Sequence, residues 1–261
     1  MKAGGCGNPK VTGVLPVALE EATKVIQALL KAGKEYVGVM KLHGDISEER
    51  IREVFSEFQG KIYQRPPLRA SVKRSLRVRT IYYLNVLEIE GRNILFKVGC
   101  EAGTYIRKLI YDIGRVFGCG AHMHELRRTR AGPFTENRDM VTLHDILYLY
   151  ERWRETGDIK MLRKFILPME RALDLMPKVF IRDSAVDAIC HGAHLTAPGI
   201  TYVESGINPK DPVAILTLKS EAVALGTALA STEEMLKATH GIMVRTERVL
   251  MPRGTYPKLW K

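Results

Sequence analysis

The chain has 261 residues, a formal net charge of +11 and a pI near 9.5, and 46% of its residues are hydrophobic. An apolar fraction of this size excludes a disordered chain, and the length fits one large domain or two ordinary ones. The positive charge indicates a polyanionic partner, while no apolar run is long enough to span a membrane and nothing resembles a signal peptide.

The first part of the chain shows two helical patterns. Apolar spacing predicts an amphipathic helix over Leu19–Lys31 that is closed by Gly33. Ser47 is suited to the N-cap of a second helix that ends at Gly60, because its hydroxyl can accept a hydrogen bond from the first turn. The residues expected on the buried face of this second helix are Ile51, Val54, Phe55 and Phe58.

The segment from Lys61 to Thr80 is strongly basic and has no acidic residue. Its basic residues are Lys61, Arg65, Arg69, Lys73, Arg74, Arg77 and Arg79. The segment ends in an alternating pattern that is typical of a strand, and a hairpin is predicted around Glu90–Asn93. We expect a strand and loop of this kind to contact a phosphate backbone.

Arg107 lies in the first turn of a predicted helix that ends near Gly118. A cation at this end opposes the helix dipole, which favours an anion there. Arg107 is therefore a poor choice for helix stability and a good one for binding a carboxylate or phosphate. The run Leu126–Arg130 adds a compact cationic cluster, whose members are Arg127, Arg128 and Arg130.

The remainder of the chain changes from helical to β-prone. Thr142 is predicted to cap a helix with an apolar face formed by Ile146, Leu149, Tyr150 and Trp153. Beyond Pro177, short strands are predicted within Val213–Leu218, Ala222–Leu229 and Ile242–Met251. The whole pattern is α+β without regular parallel winding, and it predicts one domain over residues 1–176, a β-rich domain over 177–253 and a tail over 254–261.

The cysteines and histidines do not form a metal-binding pattern. Cys6, Cys100, Cys119 and Cys190 are scattered, so we expect reduced thiols in an intracellular protein, with no disulfide and no zinc site. The histidine pairs His122/His124 and His191/His194 lack partners at metal spacing, and surface or capping roles are expected for them.

Several motifs together resemble a known family. They are Asn8–Pro16, Gly33–Val37, Gln64–Leu68, Gly99–Phe134 and the pair His191–Ala193 and Pro198–Ile200. Over Gly4–Trp260 the chain resembles the pseudouridine synthases that modify the T-arm uridine of tRNA, and specifically their archaeal and eukaryotic branch, the dyskerin-type catalytic subunit of box H/ACA ribonucleoproteins. The resemblance implies a mixed or antiparallel catalytic sheet followed by a small β-barrel-like PUA domain that binds RNA.

The resemblance also implies a reaction and its residues. In this family a uridine is flipped out of the RNA, at a cost of roughly a few kcal/mol, its C1′–N1 bond breaks, and the uracil rotates and rejoins through C5, without cofactor or metal. Carried over by position, Tyr36 is the residue that stacks on the base, Arg107 pairs with the catalytic aspartate, and Tyr105 and Leu126 line the pocket. The implied partners are an H/ACA guide RNA, an rRNA or tRNA substrate and the small accessory proteins of the particle.

The catalytic position departs from the family pattern. Where the family has its aspartate before Pro, this chain has Asn8 before Pro9. An amide is not an anionic nucleophile and cannot act as a general base near neutral pH. The family also has an upstream Lys-Pro-x-Gly segment, which is expected to be missing because Met1 stands only a few residues before Asn8. Little or no turnover is therefore expected.

Two other functions stay open at this point. A non-catalytic RNA-binding scaffold differs from the enzyme only in what Asn8 can do. A phosphate-cradling loop at Gly4–Gly7 is the weaker alternative, because no strand precedes it and no Gly-Lys-Ser/Thr follows it. The C-terminal half resembles the archaeal branch, which implies a cytoplasmic protein; a eukaryotic source would imply the nucleolus.

Overall fold

The computed structural model describes residues 11–66, 73, 75–136 and 140–259, and the backbone of residues 2–3. The described residues fall into two compact units. The first unit comprises Ala3–Val17 and Gln27–Phe165, and the second comprises Ala18–Ile26 and Ile166–Lys261. The second unit therefore takes in the residues from Ile166 and a segment from early in the chain, whereas the boundary predicted after residue 176 stays a prediction.

The first unit is built on one mixed sheet. Two-residue strands β1 (Lys2–Ala3) and β3 (Val17–Ala18) pair separately. The strands of the large sheet are β2 (Val11–Gly13), β4 (Lys34–Leu42), β5 (Gly60–Gln64), β6 (Arg77–Glu90), β7 (Asn93–Cys100), β8 (Ala121–Ala131) and β9 (Phe134–Thr135). Their order is β2-β8-β4-β7-β6-β5, with β9 beside β8. β2 runs parallel to β8 and the other pairs are antiparallel, which confirms the predicted α+β fold and the hairpin between β6 and β7.

The described part of the first unit also contains five α-helices, and the second and third of them pack against the sheet. The five helices are α1 (Ile26–Lys31), α2 (Glu48–Glu57), α3 (Ile106–Val116), α4 (Leu143–Thr156) and α5 (Lys160–Phe165). Ser47 caps α2 by accepting a hydrogen bond from the Arg50 amide at 3.4 Å, as predicted. The core of the unit packs α2 and α3 against the sheet, with Phe55, Ile110 and Phe96 among its fully buried side chains.

The single helix predicted over Leu19–Lys31 is wrong. A 3₁₀ helix, Glu20–Val25, precedes α1. Leu19 offers no side-chain cap, and the first turn closes instead with the tighter bond from the Ala22 amide to the Leu19 carbonyl at 2.9 Å. The end of α1 is closed by the buried Lys34, whose Nζ donates to the Leu29, Leu30 and Ala32 carbonyls.

The predicted helix after Thr142 is present, but its apolar face is not buried. Thr142 and Asp145 form a reciprocal capping box at the start of α4, and Gly157 ends the helix with a φ of +73°. Within the described part of the chain no residue of α4 is buried. Amphipathic spacing predicted the helix correctly, but spacing alone does not provide a surface for the apolar face to pack against.

The second unit is β-rich, as predicted. Its strands are β10 (Lys178–Ile181), β11 (Leu195–Thr196), β12 (Ile200–Val203), β13 (Pro212–Thr217), β14 (Ala222–Ala228) and β15 (Ile242–Val249), in the order β11-β15-β14-β13-β10-β12. Its helices are α6 (Asp183–Cys190), α7 (Thr232–Lys237) and the 3₁₀ helices Met169–Leu173 and Ala197–Gly199. Val179, Val186, Val213 and Val223 lie at the centre of its core.

Candidate functional site

Neighbouring strands bring two of the predicted site residues, Tyr36 and Leu126, close together. β8 lies between β2 and β4, so Leu126 pairs with Val11 on one side and with Gly38 on the other. Tyr36 lies two residues before Gly38 on β4, on the same face of the sheet, because side chains alternate along a strand. β2, which begins at Val11, therefore lies beside Leu126 of β8, and Leu126 lies one strand away from Tyr36 of β4.

Gly38 leaves room for Leu126 in this arrangement. A Cβ atom at Gly38 would lie 2.8 Å from Cδ1 of Leu126 and 2.8 Å from the Glu125 carbonyl oxygen. Leu126 itself is 7% exposed and packs in the core, with the half-buried Tyr36 against the same cluster. Leu126 thus belongs to the hydrophobic cluster against which Tyr36 packs.

Tyr36 has a perturbed phenol. Burial raises the pKa of Tyr36, and the negative character of Cys100 acts in the same direction, while Arg128 opposes both. Tyr36 pairs with Arg128 across β4 and β8, and the nearby guanidinium acts to lower the pKa of the phenol. The tyrosine is therefore neutral near pH 7 and lies near a buried cation, which suits a stacking surface more than a base.

Arg107 lies where the sequence predicted it. It is exposed in the first turn of α3, and that turn contains no acidic residue. The N-cap residue, Tyr105, makes no capping hydrogen bond with its side chain. Instead its backbone is held by Gln64: the Tyr105 amide donates to Oε1 at 3.0 Å, and Nε2 donates to the Tyr105 carbonyl at 3.2 Å.

The loop before α3 is tied to β6 as well. The Glu101 amide donates to the Thr80 carbonyl at 2.9 Å, and the Thr80 amide donates to Glu101 Oε2 at 3.0 Å. Arg79 completes this end of the loop with an ion pair to Glu101 at 3.2 Å. The segment that carries Tyr105 and Arg107 is therefore hydrogen-bonded to β6 at Glu101 and to β5 at Tyr105.

The residues of the basic segment differ in accessibility. Lys61, Arg65 and Lys73 are exposed, whereas Arg77 and Arg79 are half-buried. Arg77 donates to the Lys73 carbonyl at 3.2 Å, and Nε of Arg79 is buried without a hydrogen-bond partner. Arg69 and Arg74 lie outside the described residues, as does the position of greatest chemical interest, Asn8.

The arginines of β8 have three different environments. Arg127 is exposed and forms a bidentate pair with Glu136, with Nε 2.9 Å from Oε1. Arg130 is half-buried, and its charge acts to lower the pKa of the nearby Tyr83. Arg128 is only 7% exposed and donates from Nε to the Val14 carbonyl at 2.7 Å, so the phosphate contact predicted for it is corrected to a role inside the protein.

Two polar clusters were not identified from the sequence. Glu35 accepts hydrogen bonds from Tyr83 and from Thr129 at 2.7 Å, and it pairs with Lys97 at 3.1 Å. The other cluster is the Gln64 amide with the Tyr105 backbone. Gln64 begins a motif that supported the family resemblance, and this motif is the sequence signal that could have revealed it. In the structure Gln64 is the one buried residue of β5.

Among the described residues, no three or more His, Cys, Asp or Glu side chains are grouped so that they could hold a metal ion. Cys100, Cys119 and Cys190 are free thiols. His122 lies 2.8 Å from His43, from Nδ1 to Nε2, and His191 Nδ1 lies 2.8 Å from the Asp187 carbonyl oxygen at the end of α6. No helix in the described residues is long and apolar enough to cross a membrane.

Family models match nearly the whole chain. Residues 2–106 match the N-terminal domain of TruB family pseudouridylate synthases, and residues 107–174 match the C-terminal domain of tRNA pseudouridylate synthase B. Residues 177–250 match the PUA domain. The last match agrees with the β-rich sheet of the second unit.

Curated relatives and solved structures point in the same direction. The chain is 62% identical over 257 residues to a probable tRNA pseudouridine synthase B of Methanopyrus kandleri, covering 98% of this chain and 76% of the relative. A Cbf5–Nop10–Gar1 complex contains a chain with 59% identity and a TM-score of 0.95, covering 98% of this chain and 78% of that one. An H/ACA ribonucleoprotein bound to a substrate RNA containing 2′-deoxyuridine gives 56% identity and a TM-score of 0.93, covering 99% and 78%.

Proposed function

The chain belongs to the TruB family of pseudouridylate synthases, a family of RNA isomerases, and we propose that it acts on uridine in rRNA or tRNA under the direction of a box H/ACA-type guide RNA. The observation that carries the proposal is the order of β2, β8 and β4. This order places the strand that follows residue 8 beside Leu126 and brings Tyr36 onto the same face.

The geometry suits a flipped nucleotide. A base taken out of an RNA stack needs an aromatic or apolar surface and contacts to its edges. Tyr36, half-buried and neutral, offers the ring, and Leu126 adds apolar surface in the same cluster. Arg107 stands exposed at the start of α3, with no acidic residue in that turn, where it can pair with an anion.

The proposed partners follow from the similarity to solved particles. The similar structures are complexes of Cbf5 with Nop10 and Gar1 and an H/ACA particle bound to a substrate RNA. We expect this chain to bind a guide RNA through its PUA domain and to assemble with small accessory proteins of the same kind. We also propose a cytoplasmic location, which the resemblance of the C-terminal half to the archaeal branch implies.

Asn8 limits what this chain can catalyse. The family nucleophile is a carboxylate, and loss of a catalytic nucleophile commonly costs several orders of magnitude in rate. An amide also offers no charge to Arg107. We therefore expect this chain to bind RNA and to show little or no turnover, which makes a non-catalytic RNA-binding scaffold the alternative function.

Single-turnover pseudouridine formation tests both functions. The chain and its Asn8→Asp variant are compared on a T-arm RNA and on an RNA addressed by a guide. Activity confined to Asn8→Asp supports the proposed enzyme and its loss at residue 8. RNA binding by both proteins without activity in either supports the scaffold, and equal activity in both overturns the assignment of residue 8.

A further inference from the structure

Gln64 occupies an unusual place for an amide side chain. β5 is an exposed or half-exposed strand in every residue but its last, and that last residue, Gln64, is 2% exposed. A buried amide must have partners for its donor and acceptor atoms, or its burial is costly. Both of its partners belong to a single residue, Tyr105, 41 positions further along the chain.

The contact reproduces a backbone pairing. Oε1 accepts from the Tyr105 amide at 3.0 Å while Nε2 donates to the Tyr105 carbonyl at 3.2 Å. This is the exchange of two hydrogen bonds that a residue of a neighbouring antiparallel strand would make. Among natural side chains at this length only a neutral amide or a protonated carboxyl offers a donor and an acceptor side by side.

Tyr105 is the residue from which α3 starts. Its carbonyl also accepts from the Lys108 and Leu109 amides at 3.1 and 3.0 Å, which are the first bonds of the helix. Tyr105 has no side-chain cap, so Gln64 fixes the direction in which α3 leaves the loop. Arg107, two residues later, is exposed and has no acidic neighbour in its turn.

We propose that Gln64 is a positioning residue for the isomerisation, which holds the start of α3 and thereby fixes where Arg107 is presented. This proposal rests on the proposed function. Gln64 itself does not touch RNA, because it is buried beneath the backbone that it holds. Its loss is expected to lower the rate of the chemical step and to leave RNA affinity unchanged.

The experiment uses the full chain with Asn8→Asp as the parent. Gln64→Leu removes both hydrogen bonds, and a displacement of about 1 Å at the reacting groups can lower the single-turnover rate about 100-fold. Gln64→Glu supplies a more specific readout. The ionised Glu side chain can only accept hydrogen bonds, so one of its oxygens would face the Tyr105 carbonyl oxygen without a proton between them. The protonated Glu side chain has one donor and one acceptor, as the Gln64 amide does.

Burial raises the pKa of such a carboxyl, so the rate of Gln64→Glu relative to the parent should recover as the pH falls from about 8 to about 5.5. The matched control is Gln59→Leu, which removes an exposed amide that donates to the Leu84 carbonyl at 3.5 Å, away from the loop. This variant should keep the parent rate. Because a buried ionised carboxyl also destabilises the fold, urea titrations of Gln64→Glu over the same pH range separate a recovery of the rate from a recovery of stability.

Hydrogen exchange at the Tyr105 amide provides a readout that needs no turnover. Gln64→Leu should accelerate this exchange, in both the Asn8 and the Asn8→Asp chain. Parental rates in Gln64→Leu and Gln64→Glu, a loss of RNA affinity that accounts for the loss of rate, or unchanged exchange at Tyr105 would each overturn the proposal. An inactive Asn8→Asp parent would count against the proposed enzyme instead, and exchange at Tyr105 would then decide the role of Gln64.

Discussion

Arg128 and Val14 are joined twice. The Arg128 side chain donates from Nε to the Val14 carbonyl at 2.7 Å, and the Val14 amide donates to the Arg128 carbonyl at 2.8 Å. Gly13, just before Val14, has a φ of +96°, and a Cβ there would lie 2.1 Å from the Arg128 carbonyl oxygen. The exit of β2 is therefore held against β8 by a buried guanidinium, which lies on the strand residue that pairs with Tyr36.

Replacing this guanidinium should destabilise the protein. Arg128→Met keeps much of the apolar stem but leaves the buried Val14 carbonyl without its side-chain donor, which costs about 1–3 kcal/mol of the free energy of unfolding. A urea titration measures the loss. The neighbouring Arg127→Met is the control, because Arg127 is exposed and its pair with Glu136 is expected to contribute about 0–1 kcal/mol. Equal losses in the two variants would contradict a special role for Arg128.

The contrast between Arg127 and Arg128 shows what the sequence could predict. The cationic run predicted a basic strand, and the strand is present. Composition does not distinguish the three arginines of this strand from one another, so all three are expected on the same RNA-binding surface. Alternation along β8 turns Arg127 outward and Arg128 into the core. The prediction of a phosphate contact failed at Arg128 because the sequence does not show that the carbonyl of Val14 lies within its reach.

Elements defined by local signals were predicted well. The α3 helix, the Ser47 cap, the β6–β7 hairpin and the β-rich second unit each depend on residues close together in the chain. The contacts that build the site join distant segments, such as Gln64 with Tyr105 or Glu35 with Tyr83. Their partners follow from sheet order, which the sequence alone does not specify. Asn8, at the position where the family resemblance implies the nucleophile, lies outside the described residues.

Glu35 is expected to make stability depend on pH. Burial opposes ionisation of its carboxyl, but hydrogen bonds from Tyr83, Thr129 and Lys97 outweigh burial and hold the pKa of Glu35 below its usual value. A depressed pKa in the folded state stabilises the fold above the unfolded value of about 4.3, and this stabilisation is lost as the pH falls through the folded pKa.

The variant Glu35→Gln measures this contribution. Because hydrogen bonds to a charged group are replaced by weaker ones, the free energy of unfolding at neutral pH should fall by about 1–3 kcal/mol. The difference between the parent and Glu35→Gln should shrink as urea titrations are repeated below about pH 4. A difference that stays constant over the whole pH range would show that the charge of Glu35 is not what stabilises the cluster.

The Cys100 thiol should be inert in the folded protein. Cys100 is 1% exposed, and burial raises its pKa to about 11. Since the thiolate is the reactive form, iodoacetamide at about pH 8 should label the half-exposed Cys119 well before Cys100. Peptide mass spectrometry over a time course measures the order, and labelling in urea provides the reference for equal access. Labelling of Cys100 as fast as Cys119 in the folded chain would contradict its burial.

Exposed residues of the basic segment should account for part of the salt dependence of RNA binding. Lys61, Arg65 and Lys73 are the exposed cations of this segment among the described residues. Each phosphate contact contributes about 0.7–0.9 to the slope of log affinity against log salt concentration, so replacing all three by Gln should lower the slope by about 2. RNA titrations at several salt concentrations measure the slope.

A matched control removes the same charge from elsewhere in the first unit. Arg50, Arg52 and Arg92 are exposed and pair with Glu53, Glu48 and Asp45, so their cationic heads are already neutralised by protein carboxylates. Replacing these three by Gln lowers the net charge equally but should leave the slope unchanged. If both triple variants lowered the slope to the same extent, net charge would explain the binding, and the assignment of phosphate contacts to the basic segment would fail. If only the first triple variant lowers the slope, the phosphate contacts lie on the basic segment, which also contains Gln64.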